Sequence, residues 1–260
     1  IIEAVTRRMR AGIADLPDGR YEFTDVLDDD GMGTTNIPIC VKIDIQSDEI
    51  WFNFEGSASQ VAGNMNNSFA GLQASVLFAL KVLIDPDGPT NHGMLDPVHI
   101  DAPEASVVNA SFPAATAARA QTCQRIIDVI LGALAPAVPE RVIAACNGAN
   151  GVATFSGEGP DGQYYLYMET IGGGAGGRSY QDGSDGIQVH VTNTSNLPVE
   201  ALESEYPLLV ERYELVENSG GAGKWRGGMG LRRVYRGLGH TLTFSGQGER
   251  AVTPPWGLFG

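Results

Sequence analysis

Four histidines stand in this 260-residue chain, and one of them lies where acid–base chemistry is easiest to place. His190 occupies the alternating run IQVHVTNT, between a glycine-rich stretch and SNLPVEALE. The alternation predicts a strand, with Val189 and Val191 facing away from His190 and Thr192 on the histidine's face. An imidazole ionises near neutral pH, so a histidine among polar neighbours suits proton transfer. The bland alternative is a satisfied structural histidine. A second cluster, NHGMLDPVHID, gathers His92, Asp96, His99 and Asp101. Pro97 interrupts them in the middle, so a polar loop entering a strand is expected there and no metal site is assigned in the chain.

Two stretches invite a nucleotide reading. Gly172, Gly174 and Gly177 in GGGAGG have the G-x-G-x-x-G spacing after a strand-like YYLYMETI. The fingerprint needs a helix next, whose N-terminal amides hold the pyrophosphate. The polar, turn-rich RSYQDGSDG follows instead, and the reading fails. In SGGAGKWRGG, a phosphate-cradling loop would need glycine where Asn218 stands and a hydroxyl where Trp225 stands. The acidic LDDDGMG resembles a calcium loop, but Met32 takes an oxygen-ligand position and Ile39 the closing carboxylate position. It is expected to be an acidic turn. G-x-S-x-G and H-E-x-x-H are both absent.

The elements that would position these residues are legible from periodicity. Ile2, Val5, Met9 and Ile13 have helical spacing before the turn LPDG. ICVKIDI and EIWFNFEG alternate on either side of QSD, which predicts a hairpin. SFAGLQASVLFALKVLI predicts a helix with Phe69, Leu72, Val76, Leu80 and Leu83 on one face, capped by Ser68 and stopped at Asp85-Pro86. AQTCQRIIDVILGALA predicts another, ended by Pro136 and Pro139. Beyond Val142 the chain reads as β-rich and glycine-punctuated. The fold class expected is α+β: β-rich, with a few long amphipathic helices and glycine-rich loops. A composition shift suggests a helix-containing part, 1–146, and a β-rich part, 147–260, with one continuous domain as the alternative.

Composition narrows the function classes. Hydrophobic residues make up 43% of the chain, which is ordinary for a globular fold. The 34 glycines are nearly twice the usual share but lie in clusters, and therefore mark turns rather than a collagen-like repeat. A net charge of −14 argues against nucleic acid as partner. Cys40, Cys123 and Cys146 are odd in number and far apart, which suits free thiols in a reducing, cytoplasmic setting. No apolar run approaches membrane-spanning length, so no membrane partner is expected. The chain begins at Ile1 inside a helix-like segment and stops at PPWGLFG, so it reads as a piece of a longer protein.

Several segments, in order, carry a family resemblance: FEGSASQVAGNMN, PDGPTNHGMLDPVHIDAP, TCQRIIDVILGALAPAVPERVIAA, METIGGGAGG, HVTNTSNLPVEALESEYPLLVERYEL, NSGGAGKWRGGMGLRR and the terminal PPWGLFG. Together they resemble the hydantoinase B/5-oxoprolinase family. The resemblance implies a component of an ATP-dependent amidohydrolase that opens cyclic amides such as hydantoins or 5-oxoproline. A kinase-like partner of the hydantoinase A type would use the ATP to phosphorylate the substrate, which implies a hetero-oligomer. Related enzymes carboxylate acetone or acetophenone, which makes a ketone carboxylase subunit the alternative, and a non-catalytic scaffold a third. The family's metal-ligand pattern, of a His-x-x-Asp type, lies upstream of the part matched here, so a divalent metal would belong there. Where members often carry His-Val-His before Thr-Asn-Thr, this chain has Gln188 in the first position.

On this resemblance His190 is the expected acid/base or substrate ligand, with Thr192 and Asn193 orienting groups beside it. Gly172, Gly173 and Gly174 would bring backbone amides close to a phosphorylated intermediate or oxyanion, or would simply serve turns. Arg119 and Arg125 are candidate anion ligands. Gln60, Asn64 and Asn66 either line the site or satisfy a loop.

Overall fold

The computed structural model describes residues 1–259; the last residue of the PPWGLFG motif lies outside them. The chain is α+β. Helix α1 (Ile2–Ala14) buries Val5, Met9 and Ile13, while Ile2 at its start stays exposed. Two long strands follow, β1 (Gly19–Asp29) and β2 (Thr35–Gln46), paired antiparallel from Gly19↔Ile45 to Asp29↔Thr35. Strict alternation in β2 buries Ile37, Ile39, Val41, Ile43 and Ile45 on one face. A tight turn at Ser47, whose φ is 57°, leads into β3 (Glu49–Asn53), as the hairpin pattern predicted. Strand β4 (Val98–Asp101) adds in parallel, giving the order β1-β2-β3-β4.

Helices cover the apolar face of this sheet. In α2 (Phe69–Ile84) the Ser68 hydroxyl accepts a hydrogen bond from the Gly71 amide, and the helix ends at Asp85 before Pro86. Leu72, Val76, Leu80 and Leu83 are buried as their spacing demands; Phe69, in the first turn, is 40% exposed. Helix α3 (Arg119–Leu134) packs on α2, β1 and β2 and is buried almost throughout. Its inward residues include Gln121, Thr122, Gln124, Arg125 and Asp128. Polar groups removed from water need partners, and those partners build the site described below.

The remainder forms two small sheets. Strands β5 (Gly151–Glu158) and β6 (Tyr164–Ile171) pair antiparallel, and β9 (Leu242–Gln247) joins the other edge of β5. A short helix α4 (Val199–Glu205), which the β-rich reading had not separated, precedes the pair β7 (Leu208–Leu215) and β8 (Leu231–Gly237). Ala153, Phe155, Tyr167, Leu202 and Leu208 form a second core cluster there. The first cluster spans α1 to Val142 and is joined by Leu258 near the chain's end. Among the described residues no helix is long and apolar enough to cross a membrane.

The IQVHVTNT segment is not a strand. Ile187 makes one isolated bridge to Gly173, after which the backbone turns, and His190 has a φ of 49°. The Val189 carbonyl accepts both the Thr192 amide and the Gln124 side-chain amide. Tertiary hydrogen bonding has overridden the local β pattern. Val189 is consequently buried and Val191 exposed, so the expected shared facing of the two valines is lost.

Candidate functional site

The site grows from the buried polar face of α3. Asp128 accepts a hydrogen bond at 2.8 Å from His190 Nε2 through one oxygen and at 2.8 Å from Arg250 Nη2 through the other. The same Arg250 nitrogen reaches Asp25 Oδ2 on β1 at 2.8 Å. Arg125, one turn before Asp128 and fully buried, reaches Asp25 Oδ1 and Glu249 Oε2, each at 3.1 Å. The buried network therefore runs His190–Asp128–Arg250–Asp25–Arg125–Glu249 and ties α3, β1, the 189–192 turn and the C-terminal segment together. Asp28 anchors that segment by accepting the amides of Ala251, Val252 and Thr253. Gly148 leaves the room: a Cβ there would lie 2.7 Å from Arg250 Nε, and its φ of 64° disfavours other residues.

Cys146 completes the inner end. Its sulfur, a ring nitrogen of His190 and an Asp128 oxygen all lie within 4.8 Å of one another. The Gly176 amide donates to this sulfur at 3.5 Å. Phe78 presents an edge-on ring to His190, with centroids 6.2 Å apart. Burial pushes the His190 pKa down, but the Cys146 sulfur and the Asp128 carboxylate outweigh it and raise the pKa to about 10. Burial alone would raise Asp128, yet His190 and Arg250 hold it below the usual carboxylate range. Glu249 behaves oppositely. Its desolvation outweighs the Asp28 amide and Arg125, and its pKa rises to about 7 although it sits at ion-pair distance from a guanidinium. Thiol, imidazole and carboxylate are the donor types in this chain suited to a metal ion, and they meet here.

The residues singled out from sequence separate into groups. His190, Thr192 and Arg125 come together around α3: Gln124 Nε2 donates to Thr192 Oγ1 at 2.8 Å and to Val189 O at 3.0 Å. Arg125 is paired with two carboxylates of this chain and has no exposed surface, so it is a structural cation here and not an open anion ligand. Asn193 is exposed beyond the turn. Arg119 is exposed at the start of α3. Gln60 and Asn66 belong to a separate loop. Gln60 Oε1 accepts the Ser111 amide, and Asn66 spends its whole amide on Val61, Gly63 and Ala115.

The glycine run has a packing task. The Gly173 amide donates to Ile187 O at 2.8 Å, and a Cβ on Gly174 would stand 2.0 Å from Gly228 O. These glycines let backbone segments lie against each other, which leaves the Gly173 amide unavailable to an oxyanion. The second glycine stretch is fastened by Arg226, which grips Asp185 at 2.7 and 2.9 Å.

His92, Asp96, His99 and Asp101 do not converge. His99 stacks on Trp51 and meets Glu49 at 3.1 Å, while Asp96 accepts from Thr6. Asp30 accepts the amides of Met32, Thr34 and Gly63, as an acidic turn should. A cleft of about 610 Å³ opens between the two small sheets, lined chiefly by apolar residues with Arg232 and Arg233. It contains none of the His190 network.

Asp25, Asp128, Cys146, Glu249 and Arg250 were not singled out from sequence. One signal was available. RIIDVILGALA is apolar nearly all round, so its Arg125 and Asp128 had to be buried and paired.

This chain has relatives among known proteins. It is 43% identical over 223 residues to an uncharacterized protein of Methanocaldococcus jannaschii, covering 85% of this chain and 38% of that one. It is 34% identical over 263 residues to the caprolactamase beta subunit of Pseudomonas jessenii, covering 98% and 45%. Against 5-oxoprolinase 1 of Arabidopsis thaliana the identity is 36% over 240 residues, covering 92% and 18%. The chain thus spans less than half the length of these relatives. Among solved structures, the ATP-dependent caprolactamase of Pseudomonas jessenii superposes with a TM-score of 0.82 at 29% identity, over 91% of this chain and 42% of that one. Nucleotide-free acetone carboxylase superposes at 0.88 over 100% and 37%, and at 17% identity that likeness is one of fold. The family description hydantoinase B/oxoprolinase matches residues 1–260, and the chain belongs to that family.

Proposed function

We propose that this chain is part of the hydrolytic component of an ATP-dependent amidohydrolase that opens cyclic amides of the hydantoin or 5-oxoproline type. A hydantoinase A-type, kinase-like subunit would phosphorylate the substrate, and the two subunits would work as a hetero-oligomer. The observation that carries this reading is the run of similarity to caprolactamase and 5-oxoprolinase along nearly the whole chain. Phosphorylating an amide oxygen makes the carbon a better electrophile. What remains is for water to add at that carbon, for the C–N bond to break with a proton supplied to the departing nitrogen, and for phosphate to leave as the carboxylate forms, with the developing charge stabilised throughout.

His190 suits that work. Asp128 fixes its ring, and together with Cys146 keeps it positively charged at neutral pH. Thr192, held by Gln124, and Asn193 at the outer side of the turn extend the polar surface beside it. ATP would enter through the partner, consistent with the failure of both glycine stretches as phosphate loops. The three cysteines are free, which suits a reducing, cytoplasmic setting. The acetone carboxylase fold supports ketone carboxylation as the second reading.

The test uses the intact protein with its kinase-like partner. ADP release and ring-opened product are followed with hydantoins, 5-oxoproline and other lactams, and in parallel with ketones plus bicarbonate. Turnover with a cyclic amide is expected, reduced at least 100-fold by His190→Ala. Turnover only with ketone and bicarbonate would move the chain to the carboxylases. An intact His190→Ala complex with unchanged turnover would remove His190 from the chemistry.

A further inference from the structure

We propose that Cys146, His190 and Asp128 form a binding site for a divalent transition metal of the zinc type. Their three donor atoms lie within 4.8 Å of one another. Zinc bonds to oxygen, nitrogen and sulfur measure about 2.0 to 2.3 Å, so donors around a tetrahedral ion sit roughly 3.3 to 3.7 Å apart. Reaching that spacing needs donor shifts of about 1 Å or less, including the opening of the His190–Asp128 hydrogen bond from 2.8 Å. Thiolate, imidazole and carboxylate together favour zinc or cobalt over magnesium or calcium, which prefer oxygen alone.

The surroundings match those of a built metal site. Arg250 holds Asp128 Oδ2, which leaves Oδ1 for single-oxygen ligation. The Gly176 amide already donates to the Cys146 sulfur, as outer-shell amides do for bound thiolates. Gln124, one turn before Asp128 on α3, clamps the residues on either side of His190 through its amide nitrogen. Its own Oε1 is buried without a partner. A buried acceptor without a protein partner asks for a donor.

Charge permits such an ion. Bound to a thiolate, a neutral imidazole and a carboxylate, one dication is met by two negative charges, so the cluster carries no net charge. That matters because Arg125 and Arg250 stand close by and would oppose any uncompensated cation. The assignment concerns what the cluster holds and does not depend on which amide is opened. With the ion bound, His190 would be a neutral ligand and no longer a proton donor, and the ion itself would supply the positive charge in its place.

The test is metal content, not turnover. The intact protein is stripped with a chelator, reloaded with Zn²⁺ or Co²⁺ and freed of excess ion, and the bound metal is counted by mass spectrometry. Cobalt protein should show a thiolate-to-cobalt charge-transfer band in the near ultraviolet. Cys146→Ala should abolish that band and remove one metal equivalent; Cys40→Ala and Cys123→Ala should change neither. Asp128→Asn should keep the band while weakening affinity about 10- to 100-fold. X-ray absorption on the zinc-loaded wild type provides a readout without any variant and should show one sulfur among nitrogen and oxygen neighbours. An unchanged metal count and band in Cys146→Ala, or a zinc shell without sulfur, overturns the proposal and leaves a metal-free Cys–His–Asp cluster.

Discussion

Replacing Arg250 with methionine should destabilise the chain by about 3 kcal/mol. Arg250 has a side chain only 4% exposed and bridges Asp25 and Asp128 at 2.8 Å each. Removing one partner of a buried ion pair costs roughly 3 to 5 kcal/mol, because the remaining charge is left desolvated. Two carboxylates are affected here, but neither is abandoned. Asp25 keeps Arg125 at 3.1 Å and the Val26 amide, and Asp128 keeps His190 at 2.8 Å. The lower end of the range therefore applies. Methionine fills much of the arginine stem's volume over Gly148, so cavity formation adds little. Urea unfolding should show the midpoint falling by about 1 M, at a slope of about 3 kcal/mol per molar for a chain of this size. Arg250→Lys should fall between the two, since one ammonium cannot reproduce a guanidinium that spans two carboxylates. A loss below about 1 kcal/mol for the methionine variant would refute the reasoning, because the network would then contribute no more than a surface pair.

Other consequences are equally direct. Gly174→Ala should destabilise the chain by more than about 2 kcal/mol, because its Cβ would lie 2.0 Å from the Gly228 carbonyl oxygen, whereas Gly221→Ala has nothing within 4 Å and should be nearly neutral. Equal melting temperatures for the two variants would contradict the packing task given to the glycine run. Glu249, raised to about 7, holds its proton in the fold when the unfolded carboxyl has lost it. Stability from this group is present below the unfolded value near 4.5 and is lost as pH rises through about 7, by up to roughly 3 kcal/mol. Glu249→Gln should flatten that slope in denaturation curves taken from pH 4 to pH 8; an unchanged slope would assign it to other groups. Asp185 is held at a pKa of about 2, chiefly by Arg226, so its clasp on the 219–230 loop should survive to strongly acid pH. Asp185→Asn should speed hydrogen exchange at Met229, whose amide the carboxylate accepts at 2.7 Å.

The elements whose pattern was purely local were legible in the sequence. Alternation in β2, the Ser68 cap and the Asp85-Pro86 stop of α2 depend on neighbours within a few positions, and their geometry follows from side-chain periods of 2 and 3.6. His190 was legible as a residue of interest, but its conformation was not. IQVHVTNT has the period of a strand, yet Gln124 of α3 draws the Val189 carbonyl aside and His190 takes a left-handed backbone. Polarity alone could not distinguish Asn66, which closes its own loop, from Thr192, which joins the network.

By itself the sequence determined the α+β class, the faces of the main helices, the failure of the phosphate loops and the family. Only the tertiary structure decided the site. Asp25 and Arg250 are 225 positions apart and Asp128 and His190 are 62 apart, and no spacing rule connects them. Hydrophobic periodicity records which side of an element leaves water. Which buried charge meets which is settled afterwards, when packing the elements brings desolvated charges from distant parts of the chain together as partners.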